Sequence, residues 1–209
     1  IRDRLTILAT WPHVLDPFDR RAADLIDARP IAQLDRLAVV LGSTRFTLVI
    51  AVFVGVATLR CKRFAWVFIS SVVVSLVVTA ALRLLVDRPR PDAIAPGVET
   101  SLLGDGSSFP SGHMVQVTLL ATLVPLALYE MTRSPAMRRW STLALAVCVV
   151  LVGIGRVAIA SHGATDVVAG IALGLAVGGW ARLALRIPES HRECRACAAA
   201  DEQNGRTRR

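Results

Sequence analysis

The sequence predicts an all-α integral membrane protein, a polytopic bundle of about five spanning helices. Of its 209 residues, 54% are hydrophobic, and the mean hydropathy is +0.54. These values are too apolar for an ordinary soluble domain. The apolar residues are also gathered into segments of about 20 residues, which is the length that crosses a bilayer. We therefore expect one membrane domain.

Five apolar segments approach or exceed this length. They run from about Leu41 to Leu59, Phe64 to Leu85, His113 to Met131, Trp140 to Ile159 and Ala164 to Ile187. Arg45 places the start of the first segment at the membrane interface, and Pro125 predicts a kink in the third. In the fifth, Gly170, Gly174 and Gly178 repeat every four residues. This repeat predicts a smooth helix face for close packing.

The flanking regions differ from the membrane domain, which we assign to residues 41–187. Residues 1–40 are too polar and too rich in proline to span a bilayer, and we interpret them as an amphipathic segment lying at the interface. The apolar positions that predict a short helix there and its continuation are Ala22, Leu25, Ile26, Leu34 and Leu37. Because the chain opens on Ile1 without a signal segment, we expect a spanning helix upstream.

Residues 188–209 form a basic tail whose charges and alanines predict disorder. Cys194 and Cys197 make a lone Cys-x-x-Cys there. A zinc site needs about four ligands, so we interpret these two residues as unpaired thiols.

Basic residues between the segments predict the orientation of the bundle. The clusters are Arg60, Lys62 and Arg63; Arg133, Arg138 and Arg139; and Arg182, Arg186, Arg192 and Arg195. If the spans alternate, all three clusters lie on one side, which the positive-inside rule makes cytoplasmic together with the tail. This topology accounts for the formal charge of +8. The sequence contains no basic aromatic motif of the kind that indicates nucleic acid binding. The two remaining connections face outward together.

Two polar constellations lie in the first outward connection. Arg83 lies at the end of the second segment and Arg90 follows it, where prolines stop the helix. The pair Ser111 and Gly112, followed by His113, opens the third segment, and a helix start presents backbone amides that suit a phosphate. Taken alone, these residues are also typical of snorkelling charges and an ordinary N-cap. We interpret as local ion pairs the other charges of this connection, Asp87, Arg88 and Asp92.

A third constellation, Arg156 to Asp166, lies between the last two segments. His162 and Asp166 are four residues apart, so a helix after Ala160 would place them on one face, with the carboxylate holding the imidazole in one tautomer. An arginine within the membrane is costly, which suggests that Arg156 binds an anion. The alternative is a structural hydrogen bond between histidine and aspartate. Together, the three constellations indicate a phosphate site with a nucleophile and an acid.

These constellations resemble the motifs of the type 2 phosphatidic acid phosphatase (PAP2) superfamily of integral-membrane lipid phosphate phosphatases. The family motifs are Lys-x6-Arg-Pro, Pro-Ser-Gly-His and Ser-Arg-x5-His-x3-Asp. Here they read Arg83-x6-Arg90-Pro91, Pro110-Ser111-Gly112-His113 and Gly155-Arg156-x5-His162-x3-Asp166. Arg83 replaces the usual lysine but keeps a positive charge. Gly155 replaces a serine, which removes one hydroxyl that could contact phosphate.

The resemblance implies a PAP2/haloperoxidase-like helix bundle, commonly of six spans, consistent with a first helix upstream. It also implies that His162 attacks phosphorus and forms a phosphohistidine, that Asp166 orients it, and that His113 protonates the leaving group. The phosphate-binding residues that it implies are Arg83, Arg90, Ser111, Gly112 and Arg156. It implies no metal or other cofactor. The expected partners are a lipid phosphate or diphosphate and the bilayer, with the site on the extracytoplasmic face of a bacterial plasma membrane.

Three alternative functions stay open at this point. The two histidines and the aspartate could be ligands of a metal-dependent hydrolase, although the neighbouring arginines would repel a metal ion. The arginines could instead bind phospholipid headgroups in a transporter or scaffold without catalysis. A phosphotransferase would share the phosphohistidine step. The sequence does not choose between isoprenyl diphosphate, phosphatidic acid and phosphatidylglycerol phosphate as the substrate.

Overall fold

The computed structural model describes residues 16–27, 62–88, 107–159 and 161–185. These ranges form the helices α1 (Asp16–Asp27), α2 (Lys62–Val86), α3 (Gly112–Thr132), α4 (Pro135–Ala158) and α5 (Ala164–Leu185), and they contain no strand. Helices α2 to α5 are long and apolar enough to cross a membrane, so the all-α membrane prediction is confirmed. Several predictions concern residues outside the described ranges, namely the first span at Leu41 to Leu59, Arg90, Asp92, the tail at 188–209 and its cysteines.

Three of the four described spans begin and end close to their predicted bounds, but α4 does not. It begins at Pro135, before the predicted start at Trp140. The side chain of Ser134 caps the helix by accepting a hydrogen bond from Met137 N at 3.2 Å, and proline suits the first helical position. Two residues of the basic cluster between the third and fourth segments, Arg138 and Arg139, therefore lie in the first turns of α4.

Helix α3 is the centre of the bundle, with α2, α4 and α5 packed around it. The seam between α3 and α5 is the closest, because glycines of α5 lie directly on α3. A Cβ added at Gly170 would lie 2.7 Å from Met114 Cβ, and one at Gly174 would lie 2.7 Å from Thr118 Cβ. Gly178 packs against Thr122 in the same way. The predicted close-packed glycine face is confirmed.

Two apolar clusters form the core. One joins α2, α3 and α5 through Phe64, Phe68, Leu119, Leu120, Leu123, Ala127, Val177 and Ala181. The other joins α3, α4 and α5 through Met114, Val149, Val152, Val157 and Val167. Large apolar side chains also lie on the outside of the bundle, as with Val77, which is 62% exposed. Such a surface suits contact with lipid, where an exposed apolar side chain carries no penalty.

Helix α1 is a short amphipathic helix within residues 1–40, of which the structure describes residues 16–27. One face packs on the bundle, where Ala23 and Ile26 contact the second apolar cluster and Asp19 is buried. Another face leaves Phe18 and Leu25 exposed. Its contacts with α4 and α5 tie α1 to the membrane domain.

The alternation of α2 to α5 gives the bundle two different ends. We call one the site end, where α2 and α4 finish and α3 and α5 begin; it comprises residues 83–88, 107–113, 156–159 and 161–166. The opposite, basic end comprises residues 62–63, 133–139 and 182–185. There Arg63 Nη2 donates to Ala184 O at 3.1 Å, which joins the start of α2 to the end of α5.

Candidate active site

The connection between α4 and α5 is a short turn at the site end. Helix α4 ends at Ala158 and α5 begins at Ala164. Two donors in the turn satisfy the carbonyl of Arg156: His162 N at 3.3 Å and Ser161 Oγ at 3.1 Å. His162 therefore lies before α5, so the condition under which His162 and Asp166 would share a helical face, a helix that begins directly after Ala160, is not met.

Asp166 lies in the first turn of α5 and is 1% exposed. Its Oδ2 accepts a hydrogen bond from Gly163 N at 2.9 Å, the reciprocal bond of a capping box, and its Oδ1 accepts one from Arg88 Nη1 at 2.8 Å. His162 Nδ1 is 3.9 Å from Oδ2, too far for a hydrogen bond. The closer partner of Nδ1 is Ser108 O, at 2.9 Å.

This arrangement selects a tautomer of His162. A carbonyl oxygen can only accept, so the 2.9 Å contact with Ser108 O requires the proton to be on Nδ1. The carboxylate of Asp166 lies behind the same nitrogen. Nε2 is then the ring atom that carries a lone pair, and it is the atom that can act as a nucleophile or base.

The start of α3 joins this turn through its backbone. Ser111 N donates to Asp166 O at 3.1 Å. Ser111 Oγ is buried and has no hydrogen-bond partner within the described ranges, and the hydroxyl does not cap α3. His113 follows in the first turn of α3 and is half-buried. The second and third motifs thus meet at one place.

Arg83 brings the first motif to the same place. It lies in the last turn of α2, and its Nη2 is 3.0 Å from the position that a Cβ of Gly112 would occupy. A side chain at position 112 would push the guanidinium away. Arg83 is 7% exposed and Arg156 is 5% exposed, so two buried positive charges lie at the end of a membrane bundle, where an anionic ligand would stabilise them.

Arg88 is the site residue that the sequence did not indicate. It donates to Asp166 Oδ1, to Thr165 Oγ1 at 2.7 Å, to Asp16 Oδ1 at 3.1 Å and to Asp19 Oδ2. The interpretation of Arg88 as part of a local ion pair is therefore wrong, because its partners belong to α1 and α5. A signal was present in Asp16 and Asp19 in the first turn of the amphipathic helix α1, but their spacing did not identify an arginine as the partner.

The charge state of Arg88 follows from these contacts. Burial by itself lowers the pKa of Arg88. The negative charge of Asp166 and the hydrogen bonds to Asp19 and Asp16 outweigh burial, so that the pKa lies above its ordinary value. Arg88 is a permanent cation that holds carboxylates of two distant segments together.

Of the predicted site residues, the structure brings together Arg83, Ser111, Gly112, His113, Arg156, His162 and Asp166 at the site end. Arg90 lies outside the described ranges. Within those ranges, no group of three His, Cys, Asp or Glu side chains is placed to hold a metal ion. His113, His162 and Asp166 therefore do not have the mutual geometry of a ligand set that the metal-dependent alternative requires.

Comparison with protein families finds a match to the family described as the PAP2 superfamily, over residues 64–187. No curated protein matches the chain.

Two solved structures share its fold. One is the first transmembrane PAP2 type phosphatidylglycerolphosphate phosphatase from Bacillus subtilis, with 24% identity, a TM-score of 0.69 and coverage of 85% of this chain and 90% of that chain. The other is LpxE from Aquifex aeolicus, with 21% identity, a TM-score of 0.57 and coverage of 77% and 92%.

Proposed function

The chain belongs to the PAP2 superfamily of membrane phosphatases, and we propose that it removes phosphate from a lipid phosphate or diphosphate through a phosphohistidine intermediate. One observation carries this proposal. His162 is buried with Nδ1 bonded to Ser108 O at 2.9 Å, which leaves the lone pair on Nε2, and the same end of the bundle holds the buried cations of Arg83 and Arg156. A nucleophile beside fixed positive charge suits attack on a phosphate.

In the first step, His162 Nε2 attacks phosphorus. A P–N bond forms as the P–O bond to the leaving group breaks, and His113 gives a proton to the departing oxygen. The imidazole of His162 becomes positively charged in this step. The Ser108 carbonyl, 2.9 Å from Nδ1, and the Asp166 carboxylate, 3.9 Å from it, stabilise that charge.

In the second step, water attacks phosphorus on the phosphohistidine. His113 takes a proton from the water, the P–N bond breaks, and inorganic phosphate and neutral His162 are formed. The charge on the non-bridging oxygens is spread in both transition states, and guanidinium groups are suited to bind it. We assign this role to Arg83, Arg90 and Arg156, together with the Ser111 hydroxyl and the Gly112 amide.

The membrane position of the site favours a lipid substrate. A headgroup at the bilayer surface reaches the end of a bundle without leaving the membrane, and the substrate of the Bacillus subtilis relative is phosphatidylglycerol phosphate. Phosphatidylglycerol phosphate, phosphatidic acid and isoprenyl diphosphate are the classes that we propose. The positive-inside rule places the basic end in the cytoplasm and the site end on the extracytoplasmic face.

The decisive experiment measures phosphate release from these three lipid classes by the purified protein in excess chelator. We expect the parent chain to release phosphate and to form an acid-labile phosphoenzyme from substrate labelled at the phosphate. His162→Ala should lose more than about a thousandfold in rate, as loss of a catalytic nucleophile does, and should form no phosphoenzyme.

Other outcomes separate the alternatives. Undiminished phosphate release by His162→Ala contradicts the nucleophile assignment, and loss of activity in chelator supports a metal-dependent hydrolase. Lipid binding without turnover would indicate a transporter or scaffold. Transfer of labelled phosphate to an added alcohol in preference to water would indicate a phosphotransferase.

A further inference from the structure

Helix α1 places a carboxylate directly on the turn that carries His162. Asp19 Oδ1 accepts a hydrogen bond from Thr165 N at 2.8 Å, and Asp19 Oδ2 accepts one from Thr165 Oγ1 at 2.8 Å. Asp19 Oδ2 also accepts a bond from Arg88 Nη2. Asp19 is only 9% exposed, so these three donors satisfy a carboxylate that would otherwise be costly to bury.

Asp19 takes the place of a missing N-cap side chain. The residue before α5 is Gly163, which has no side chain oxygen to accept from the backbone amides of the first turn. A Cβ at Gly163 would lie 2.5 Å from Asp19 Oδ2, so the glycine leaves the space that the carboxylate fills. Asp19 therefore caps α5 from a different helix, and its negative charge is favourable at the positive end of the α5 dipole.

Arg88 connects this cap to the catalytic carboxylate. Its Nη2 donates to Asp19 and its Nη1 donates to Asp166 Oδ1 at 2.8 Å, so one guanidinium holds both groups. With Oδ1 bonded to Arg88 and the first turn of α5 held by Asp19, Asp166 keeps Oδ2 on Gly163 N at 2.9 Å and its negative charge 3.9 Å from His162 Nδ1. Loss of Asp19 would leave Arg88 Nη2 and Thr165 N without this acceptor.

We propose that Asp19 is a positioning residue for His162, acting through Arg88 and the first turn of α5, and that α1 is for this reason part of the active site. The inference rests on the proposed function in taking His162 as the nucleophile. Asp19 itself contacts neither phosphate nor the reacting atoms in this scheme. Its effect should therefore appear in the rate of phosphohistidine formation rather than in substrate affinity.

The test compares two variants of α1 that remove one carboxylate each. Asp19→Asn should lower kcat by about tenfold or more and change KM by less than about twofold, since the contacts to phosphate are untouched. Phosphoenzyme formation should slow by the same factor as kcat. Asp24→Asn makes the same charge change at an exposed position of the helix, and it should leave both constants unchanged.

A double-mutant cycle tests the route through Arg88. If Asp19 acts through Arg88, the double variant Asp19→Asn with Arg88→Gln should be little slower than Arg88→Gln alone, because groups in one network are not additive. Losses that multiply would overturn this route. Thr165→Val keeps every charge and removes the hydroxyl that donates to Asp19 at 2.8 Å and accepts from Arg88 at 2.7 Å. It weakens the same network and should lower kcat several-fold even if Asp19→Asn does not fold.

The outcomes distinguish this inference from the proposed function. His162→Ala is measured beside the other variants. If it is inactive while Asp19→Asn and Thr165→Val keep the parent kcat, the positioning role is overturned and the proposed function stands. If His162→Ala keeps full activity, the proposed function fails and the positioning role fails with it. A rise in KM at constant kcat in Asp19→Asn would also overturn the positioning role, because that result would make Asp19 a determinant of substrate binding.

Discussion

The two ends of the helix bundle are both rich in arginine, but they use it differently. At the site end, Arg83, Arg88 and Arg156 are between 5% and 7% exposed. At the basic end, Arg133 and Arg138 are half-buried and Arg139 is exposed. Within the connection between α3 and α4 the arginine contacts are local: Arg133 pairs with Glu130, one helical turn away, at 3.1 Å, and the Arg138 guanidinium lies 5.6 Å from the centre of the Tyr129 ring.

We infer from this difference that burial separates the arginines of the candidate site from those of the basic end. A partly exposed ion pair contributes little to stability, and its removal should have a small effect. A buried cation at the end of a membrane helix is costly unless it has a role. Arg88 shows the contrast most clearly, because its acceptors lie in α1 and α5. Motif spacing separated Arg83 and Arg156 from the basic clusters, but it did not identify the partners of Arg88.

The strongest test of the comparison removes one arginine from each end. Arg156→Gln should lower kcat/KM by about a hundredfold to a thousandfold, which is the usual cost of losing one group that stabilises transition-state charge. Arg139→Gln makes the same change at the basic end and should keep activity within about twofold, as exposed substitutions do. Both are measured as phosphate release from a lipid phosphate. Similar losses in the two variants would mean that burial does not distinguish the two ends.

A second test concerns the α3–α5 seam that connects the two ends. A Cβ at Gly174 would lie 2.7 Å from the backbone oxygen of Val115, so Gly174→Ala should destabilise the protein by about 1–3 kcal/mol through overpacking. Activity should fall as well, because the seam positions the start of α3 against α5 at the site end. The thermal midpoint in detergent and phosphate release measure the two effects.

Gly179→Ala is the matched control on the same helix. No atom lies within 4 Å of the position of its Cβ, so the variant should be neutral or slightly more stable, because alanine suits a helix interior better than glycine. If Gly174→Ala and Gly179→Ala unfold at the same temperature, the seam is not as tightly packed as the structure describes.

A labelling test of the membrane orientation of the bundle uses variants that should change activity least. In a chain whose four native cysteines are replaced by serine, Arg139→Cys reports on the basic end and Asp87→Cys on the site end; both positions are exposed. An impermeant maleimide should label Asp87→Cys in intact cells and Arg139→Cys only after permeabilisation. Activity should change by less than about twofold in each. The reverse labelling pattern would place the site end in the cytoplasm.

Local patterns predicted most of the helices. The bounds of α2, α3 and α5 follow from the length of their apolar runs, because the hydrophobic thickness of a membrane sets that length. The glycine repeat predicted close packing for a similar reason, since a spacing of four residues places glycines on one helical face. The early start of α4 differs from the prediction because charged residues usually lie outside a span, whereas Ser134 caps a helix that includes Arg138 and Arg139.

The contacts of the site were less predictable. Spacing suggested that Asp166 would hold His162 on a helical face, but the helix begins at Ala164 and Nδ1 bonds Ser108 O instead. The Arg88 partners were missed altogether. Nothing in the sequence around Asp19 identifies an arginine 69 positions away as its partner.

The sequence by itself determined which groups are present and at which end of the bundle they lie. Apolar length sets the spans, and the motif positions at span ends bring Arg83, Ser111, Arg156 and His162 to one side. Only the tertiary structure decided which atoms meet. A buried hydrogen bond needs a short distance and a suitable direction, and here both depend on how α1 packs on α4 and α5 and how α3 packs on α5.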